Sequence, residues 1–426
     1  MYKLFKNIKK FKNKTAIVDT NNVEYSYDQV LKKAEYINSK IKNKSLILIV
    51  ASNNVDSIIG YISFIRSNNI TILLDKSFKP EYIKKIIKKY KPNYLFVPKK
   101  EFDEFAANYE ILSLKYYNLI RTKYERHKKI NLKNSLLLST SGTTQNPKFV
   151  RLSNLNLSDN TNKIIKYLKI DSNHTTMTTM PMAYSYGLSI INTHIAAGSK
   201  IILNTKTVFD KEFWNKIKNN KVTSFGGVPQ LYDQIKKLKF EKMQLPYLKY
   251  LTQAGGKLDE NSLKYFFSAC KTKKIKFFVM YGQTEAGPRM SYLDWNKLSS
   301  KSGSIGKALK GSNFKLIDRN NRYINNPQSV GELVYFGKNV SLGYAKNLKD
   351  LSRADDNKGK LYTGDLAYKD KDGYFYIVGR KNRISKIFGI RIDLDDIELY
   401  LKKNHYRVKC IPDNKYLKME TMNNCN

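Results

Sequence analysis

The apolar run 136–138 leads into a dense polar stretch, Leu138-Ser139-Thr140-Ser141-Gly142-Thr143-Thr144-Gln145-Asn146-Pro147-Lys148. Five hydroxyl side chains surround one glycine, and a lysine closes the stretch. Glycine lets a backbone approach a ligand closely, while hydroxyl and N–H groups donate to phosphate oxygens. The order G-x-x-x-x-G-K-[ST] of the Walker loop is absent. The stretch therefore predicts a phosphate-binding loop of another kind, with a polar surface loop as the alternative.

Short apolar runs alternate with amphipathic stretches on both sides of this loop, which predicts mostly parallel, doubly wound α/β layers. Before the loop, we predict strands at 15–19, 45–51, 70–75 and 94–97 and helices at 28–41, 55–66 and 80–91. After it, we predict helices at 155–168, 209–219, 230–238 and 260–269 and strands at 200–203, 224–226, 250–253 and 276–280. From about Gly303 onward, turn signals are frequent and the apolar runs are short, which indicates a small β-rich subdomain.

A second chemical motif is Phe278-Val279-Met280-Tyr281-Gly282-Gln283-Thr284-Glu285-Ala286-Gly287. An apolar strand ends there in aromatic, glycine, polar, threonine and carboxylate residues. Ligands of open α/β sheets bind at the carboxyl ends of strands, and a carboxylate at such a place suits Mg²⁺. A strand-to-loop turn without a ligand is the alternative.

A third group is Tyr362-Thr363-Gly364-Asp365, followed by Gly379-Arg380 and Gly389-Ile390-Arg391. A carboxylate can accept from both hydroxyls of a ribose, and arginine meets phosphate oxygens. Each of these residues alone is equally compatible with a turn.

Composition excludes several classes of protein. The 426 residues carry a net charge of +41, but the lysines are spread along the whole chain and accompany no nucleic-acid-binding motif, so we expect no specific nucleic-acid partner. Three scattered cysteines form no C-x-x-C pair, which suits a reducing cytoplasm rather than a disulfide framework or a zinc site. The longest apolar runs are too short to span a bilayer, so we expect no transmembrane segment and a cytoplasmic protein.

His194, in an apolar stretch, favours a core or pocket-wall position over catalysis.

In order and spacing, these motifs together resemble the adenylate-forming superfamily of acyl-CoA synthetases, luciferases and peptide-synthetase adenylation domains. The match extends from about Thr15 to Glu398, and supporting segments include 181–188, 252–256, 303–307, 331–333 and 343–344. The resemblance implies an α/β fold with a large N-terminal domain at 1–380, whose β-rich subdomain covers about 303–380. A truncated small C-terminal α+β domain would follow at 383–426.

The resemblance also implies a role for each matching residue. The ATP phosphates would be held by Thr140, Ser141, Gly142, Thr143, Thr144 and Lys148. Tyr281 would stack on adenine, with Gly282 and Gln283 beside it, and Gly255 and Gly256 would lie along the adenine and acyl pocket. Thr284 would touch the α-phosphate, Glu285 would bind Mg²⁺, and Asp365 would take the ribose hydroxyls with Arg380 nearby. Tyr184, Tyr186, Gly187 and Gly227 would line the acyl pocket. Lys386, Gly389 and Arg391 would lie on the loop that faces the thiol acceptor.

The implied reaction uses ATP and Mg²⁺ to activate a small carboxylic acid as an acyl adenylate. A thiol of CoA, or of the phosphopantetheine on an acyl carrier protein, would then take the acyl group. Thr284, Glu285, Lys148 and Arg380 are the candidate catalytic residues.

Four departures from the family pattern bear on activity. Gln145 stands where the family has glycine, Tyr184 where many members have histidine, and Asn382 with Arg383 where the hinge acid pair is usual. Only 44 residues follow Asn382 (426 − 382), and neither Lys415 nor Lys418 has the sequence context of the family's late catalytic lysine.

These departures leave alternatives to the acid–thiol ligase. One is a stand-alone amino-acid-adenylating enzyme, although no aspartate lies between Asp171 and Asp210 to pair with an amino group. The other is a degenerate, nucleotide-binding member without turnover.

Overall fold

The protein is described by a computed structural model that covers residues 4–99, 110–125, 129–139, 148–387, 390–403, 406, 408–411 and 418–421. Thr140, Ser141, Gly142, Thr143, Thr144 and Gly389 of the predicted site lie outside these residues. The helices of the described part, numbered in chain order, are α1 Tyr27–Ser39, α2 Val55–Arg66, α3 Pro80–Tyr90, α4 Asn154–Leu168, α5 Ser185–Ala197, α6 Lys211–Asn219, α7 Pro229–Lys237, α8 Glu260–Thr272 and α9 Leu394–Lys403.

The strands of the described part are numbered in the same way. They are β1 Thr15–Val18, β2 Glu24–Ser26, β3 Leu46–Ala51, β4 Ile70–Asp75, β5 Tyr94–Pro98, β6 Glu110–Ser113, β7 Tyr117–Arg121, β8 Asn134–Ser139, β9 Phe149–Ser153, β10 Thr175–Met177, β11 Lys200–Ile202, β12 Ser224–Gly227, β13 Tyr250–Gln253, β14 Lys276–Tyr281, β15 Ser291–Leu293, β16 Lys307–Ala308, β17 Asn313–Ile317, β18 Tyr323–Ile324, β19 Gly331–Phe336, β20 Tyr344–Ala345, β21 Lys360–Lys369, β22 Phe375–Arg380, β23 Ile384–Ile387, β24 Ile390–Asp393, β25 Val408–Ile411 and β26 Lys418–Thr421.

Local signals place the helix starts. Ser26 caps α1 and Gln29 returns a hydrogen bond to the cap, a reciprocal arrangement that satisfies two free N–H groups. Ser153 and Asn156 do the same at α4, directly after β9. The sequence prediction for α2 at 55–66 is confirmed to the residue. In contrast, the sequence does not predict α5, because its apolar residues surround the helix instead of forming a stripe.

The first sheet has eight strands in the order β20-β9-β8-β4-β3-β5-β7-β6. Its centre is parallel, and β3 is buried on both faces, as parallel strands covered by helices are. Ile47 and Ile49 face one cluster, while Leu46 and Leu48 face α3 in another. The antiparallel edge strands β6 and β7 are absent from the sequence prediction.

The second sheet has nine strands in the order β16-β15-β14-β13-β12-β10-β11-β1-β2, and strands β10 to β14 form its parallel centre. The sequence prediction that the strand at 15–19 starts the first layer is wrong. β1 pairs in parallel with β11, with Ile17 opposite Ile201, and so completes the second sheet. Helices α1, α2 and α5 share one core cluster with inward faces of both sheets, while α6, α7 and α8 cover the second sheet's other side.

The β-rich part is a five-stranded antiparallel sheet in the order β18-β17-β19-β21-β22. It begins at Asn313, not at Gly303, because β16 joins the second sheet and β20 pairs with β9 of the first. The chain of this region therefore contributes to all three sheets. The described residues beyond 383 form two hairpins, β23–β24 and β25–β26, with α9 between them.

A fully buried arginine, Arg151, connects β9 to the chain segment between Leu342 and Asp356. The guanidinium of Arg151 donates to the carbonyl oxygens of Leu342 at 2.6 Å, Arg353 at 2.8 Å and Ala354 at 3.0 Å. It also pairs with Asp356 at 2.7 Å. A buried guanidinium is tolerated when such acceptors replace its lost hydration.

We expect Arg151→Ala to lower the free energy of unfolding by about 2–4 kcal/mol, because it removes buried hydrogen bonds to three carbonyl groups and to Asp356. Asp356 keeps Arg353 as a partner at 3.2 Å. The matched control is Arg322→Ala, which removes an exposed pair with Asp318 at 3.1 Å and is expected to cost less than about 1 kcal/mol. Urea unfolding of both variants checks this, and equal losses would contradict it.

Candidate active site

The parallel strands of the second sheet end together at one edge. The backbone register sets Gly227 of β12 beside Gln253 of β13, and Gln253 beside Val279 of β14. Tyr281 then closes β14 and leads into a short 3-10 turn, Thr284–Ala286. The second predicted motif thus lies at the carboxyl edge of an open α/β sheet, where ligands of such sheets bind.

Gly282 is the residue that lets the chain turn there. A Cβ atom on it would lie 1.5 Å from the carbonyl oxygen of Pro288, which leaves room only for glycine. Gly287, with φ of +65°, ends the 3-10 turn, and the Met290 amide donates to the carbonyl of Tyr281 at 2.9 Å. This tight fold holds the Thr284 and Glu285 side chains at the edge of the sheet.

Asp365 of β21 is buried, with 3% of its surface exposed, and gathers donors from two sheets. Its Oδ2 atom accepts from the Tyr281 hydroxyl and from Gln283 Nε2 at 3.0 Å, and its Oδ1 atom pairs with Arg380 Nε at 3.2 Å. Burial, followed by the neighbouring Asp365 charge, raises the pKa of Tyr281 well above its ordinary value, so the phenol stays a donor. Gln283 also donates to the carbonyl of Thr363 at 2.9 Å.

Glu285 belongs to a second group, which joins the first sheet to the turn. The hydroxyl of Tyr344 donates to Glu285 Oε1 at 2.6 Å, and Lys148 Nζ lies 4.2 Å from the centroid of the Tyr344 ring. Tyr344 reaches this place because β20 pairs with β9, with Tyr344 opposite Val150. Burial and the Glu285 charge raise the pKa of Tyr344, so its hydroxyl remains protonated. Sequence reasoning assigned Tyr344 no role, since a lone tyrosine after glycine carries no chemical signal.

The phosphate loop is framed by described residues although its centre is not among them. β8 and β9 are antiparallel, and Ser139 pairs with Phe149. Both ends of the loop therefore start from adjacent positions on the first sheet, with Lys148 immediately before β9.

The predicted acyl-pocket residues lie where α5 starts. The Ser185 and Thr284 hydroxyls share a hydrogen bond of 3.0 Å, which connects α5 to the 3-10 turn Thr284–Ala286. Gly255 has φ of +82°, and a Cβ atom there would lie 2.7 Å from the Tyr184 hydroxyl. Tyr186 donates to the carbonyl of Thr252 at 2.8 Å. Ser185 is another residue of the site that sequence reasoning missed.

The remaining predicted residues are placed by the backbone. A Cβ on Gly187 would lie 2.3 Å from the carbonyl of Pro181, and one on Gly227 would lie 2.4 Å from Leu231, so both allow close packing. Gly256 accepts from Gln253 Nε2 at 2.8 Å. Lys386 and Arg391 occupy paired positions on the β23–β24 hairpin, which is not brought into contact with the groups above by any described interaction.

A sequence model described as AMP-binding enzyme matches residues 4–345. The chain belongs to this family.

Individual relatives agree with that assignment. The chain is 28% identical to an oxalate–CoA ligase of Arabidopsis thaliana over 295 residues, which are 66% of this chain and 55% of the relative. It is 29% identical to a 2-succinylbenzoate–CoA ligase of Bacillus cereus over 247 residues, 58% of this chain and 49% of the relative. This family member thus spans about half the length of the curated relatives it matches.

Solved structures share the fold. An O-succinylbenzoate coenzyme A synthetase of Bacillus subtilis in complex with AMP has a TM-score of 0.79 at 18% identity, over 100% of this chain and 90% of that one. Apo MatB of Rhodopseudomonas palustris has a TM-score of 0.77 at 17% identity, over 99% and 87%. The predicted fold class, a large α/β domain followed by a smaller one, is confirmed. Across the described ranges, no helix has both the length and the apolar surface that crossing a membrane requires.

His194 is a wall residue between α5 and β13. Its Nδ1 atom lies 2.8 Å from the carbonyl of Ile190, and its Nε2 atom lies 3.4 Å from the Tyr250 hydroxyl. Burial lowers the pKa of His194 to about 3, with smaller contributions from the charges of His174 and Arg289. The imidazole is therefore neutral in the folded protein, and a role in catalysis as a proton carrier near neutral pH is not favoured.

We expect His194 to make the fold sensitive to acid. Below its ordinary value of about 6.5 the unfolded chain takes up a proton that the folded chain refuses until about pH 3. The free energy of unfolding therefore falls as the pH drops through this range, by up to about 1.4 kcal/mol per pH unit. His194→Gln should make the decline shallower in urea unfolding between about pH 7 and pH 5, and parallel declines would refute it.

Proposed function

We propose that this chain uses ATP to activate a carboxylic acid as an acyl adenylate and then transfers the acyl group to a thiol. The thiol would belong to CoA or to the phosphopantetheine of a carrier protein. Membership in the AMP-binding enzyme family supports the nucleotide. Relatives named as CoA ligases for oxalate and 2-succinylbenzoate support the pairing of an acid with CoA.

One observation carries the proposal. Lys148, Tyr344 and Glu285 come from three distant parts of the chain and are joined by direct contacts. Glu285 belongs to the 3-10 turn Thr284–Ala286 at the carboxyl edge of the second sheet, where the Thr284 hydroxyl bonds to Ser185. A cation, a carboxylate and hydroxyl donors gathered at such an edge form a site for a charged phosphate ester. A structural turn would require none of these groups.

The residues divide the work as follows in this proposal. Lys148, together with the hydroxyl and amide groups of 140–144, would hold the β- and γ-phosphates. Thr284 would donate to the α-phosphate as the acid's carboxylate attacks it and pyrophosphate leaves. Holding the two anions in line accelerates the reaction, because binding has already met the entropy cost of bringing them together. Lys148 and Thr284 also counter the charge that builds on the phosphate oxygens.

Asp365, Arg380 and Tyr281 would form the ribose and adenine side of the site, with Gly255, Gly256, Gly282 and Gln283 as its backbone walls. Asp365 already accepts from Tyr281 and Gln283 and pairs with Arg380. The ribose hydroxyls would donate to the same carboxylate. Asp365 would then contact both the nucleotide and the residues of the two sheets. Tyr184, Tyr186, Gly187 and Gly227 would line the acid pocket. Lys386, Gly389 and Arg391 would face the thiol in the second step.

The carboxylate of Glu285 fits a magnesium site. Its Oε1 atom is oriented by Tyr344, and no described residue donates to its other oxygen. Mg²⁺ is commonly held by one or two carboxylates together with phosphate oxygens and water. When bound there, the ion would neutralise negative charge on the phosphates.

ATP–pyrophosphate exchange across a panel of carboxylic acids and amino acids tests the proposal. We expect exchange that depends on one class of acid and falls about 100- to 1000-fold in Glu285→Gln, the loss typical of one preorganised charge. Tyr344→Phe, which frees Oε1, should lose about 5-fold. The control is Glu260→Gln, since Glu260 is exposed and forms an ion pair with its helix neighbour Lys264 on α8.

Each other outcome counts against a part of the proposal. Exchange with amino acids alone would make the chain an amino-acid-adenylating enzyme. AMP binding in equilibrium dialysis, with no exchange for any acid, would favour a nucleotide-binding protein without turnover. Exchange that survives Glu285→Gln unchanged would remove Glu285 from the metal site.

A further inference from the structure

Two arginines are buried in the described part of the chain, and they differ in how their charge is compensated. Arg151 is 0% exposed and Arg289 is 2% exposed. The Arg151 guanidinium has three carbonyl acceptors and the Asp356 carboxylate. Arg151 therefore shows what a structural arginine requires in this protein's interior.

Arg289 has far fewer acceptors. One terminal nitrogen donates to the Tyr167 hydroxyl at 3.1 Å, and the guanidinium carbon lies 5.0 Å above the centroid of the Tyr186 ring. The Nε atoms of both arginines are buried without an acceptor, so the difference lies in their terminal nitrogens. Within the residues that the structure describes, no carboxylate lies within ion-pair distance of it. A guanidinium stays charged at all ordinary pH values, so this is a buried cation without a counterion.

The neighbouring tyrosines do not supply the missing negative charge. Burial raises the pKa of both Tyr167 and Tyr186 above the ordinary value, so both phenols remain neutral. They offer a lone pair and a ring face, which solvate a guanidinium only in part. Burying a charge in this way costs free energy that a bound anion would recover.

The position of Arg289 points to the acid pocket as the source of that anion. Arg289 follows the catalytic turn, and its carbonyl is fixed by Asn160 Nδ2 at 2.7 Å. Tyr186, on which it stacks, adjoins Ser185, whose hydroxyl bonds to Thr284. The Tyr186 hydroxyl lies against Gly226, where an added Cβ atom would be 2.6 Å away. Tyr186, a proposed wall residue of the acid pocket, is therefore in direct contact with the Arg289 guanidinium.

We infer that Arg289 binds an anionic group at the end of the acid remote from the reacting carboxylate, so that the preferred substrates are dicarboxylic acids. This inference rests on the proposed function. One guanidinium matches one carboxylate in charge and in its planar, two-pronged geometry, whereas a phosphate dianion would keep an excess negative charge. The apolar side chains of Ile190, Phe278 and Met280, which share a buried cluster with Tyr186, suit the hydrocarbon between the two carboxylates.

The test compares matched acids in ATP–pyrophosphate exchange. The probes are straight-chain dicarboxylic acids from malonic to sebacic acid, each beside its monomethyl ester, which keeps the length but loses the second charge. For the wild type we expect one diacid length to exceed its ester by about 10- to 100-fold in kcat/KM, the range for hydrogen bonds to a charged group. Arg289→Met, similar in length but uncharged, should abolish this preference and leave the rate with the ester within about 2-fold.

Stability gives a readout that a structural role would not produce. Without acid, Arg289→Met should raise Tm, because it removes an uncompensated buried charge, whereas Arg151→Met should lower it. Diacid should raise the Tm of the wild type but not that of Arg289→Met. If Arg289→Met does not fold, Arg289→Lys replaces it. This substitution keeps the charge without the planar fork, and about a 10-fold loss of diacid preference is then expected.

Failure of this inference is separable from failure of the proposed function. A wild type that prefers esters, or an Arg289→Met variant that loses diacid and ester activity equally, would overturn the inference while exchange itself stands. If no acid supports exchange, the proposed function fails, and the Tm shifts decide the anion site alone. A diacid shift that Arg289→Met removes would uphold the site, and its absence would overturn it.

Discussion

The carboxylate of Asp365 is the point on which the site depends. It is buried between the second sheet and the β-rich sheet, and it takes hydrogen bonds from Tyr281 and Gln283 on one side and an ion pair from Arg380 on the other. A buried anion is destabilising unless donors surround it. Those donors come from different sheets. The Asp365 charge is therefore compensated only when β14 packs against β21 and β22 as it does in this fold. The same contacts set the end of β14, and with it the positions of Thr284 and Glu285.

The candidate site is assembled from segments that lie far apart in the chain. Lys148 precedes β9, Glu285 follows β14, and Tyr344 lies on the short strand β20. β20 is part of the first sheet although its neighbours in sequence build the third. Arg151 fastens the chain around β20 to β9, and so indirectly sets the distance between Tyr344 and Glu285. The geometry of the candidate site therefore depends in part on the Arg151–Asp356 ion pair.

Sequence reasoning succeeded where a local pattern determines the structure. The alternation of short apolar runs and helical stretches predicted α2 and β4 to the residue, because the strand and helix periods are properties of short segments. It failed where a choice depends on distant parts of the chain. β1 has the pattern of any buried strand, and nothing local indicates that β11, far along the sequence, is its partner. The uniformly apolar α5 lacks the polar face by which a helix is recognised.

The same division holds for the site. Thr284, Glu285 and Asp365 could be named from motif chemistry, and their predicted roles stay predictions, as do those of 140–144, outside the described residues. Tyr344 and Arg289 could not be named, because each acts through what lies beside it. An arginine after a Gly-Pro turn is expected at the surface from the sequence. The structure shows that Arg289 is buried, and its burial is what suggests a function. Sequence reasoning therefore detects residues that resemble a known chemistry better than residues that distinguish one member from another.

Three buried charged side chains of this protein differ in whether the surrounding residues compensate their charge. Asp365 and Arg151 each have an ion-pair partner within the protein, so the fold itself compensates these two charges. Arg289 is buried to the same degree, but a phenol and a ring face are poor substitutes for an anion. Selection for stability alone would place a methionine or leucine there, since hydrophobic replacements of buried charges are often neutral or stabilising. Local conflicts of this type are expected where function opposes stability. Among the described residues, the uncompensated charge of Arg289 is thus explained better by recognition of an anionic ligand than by packing.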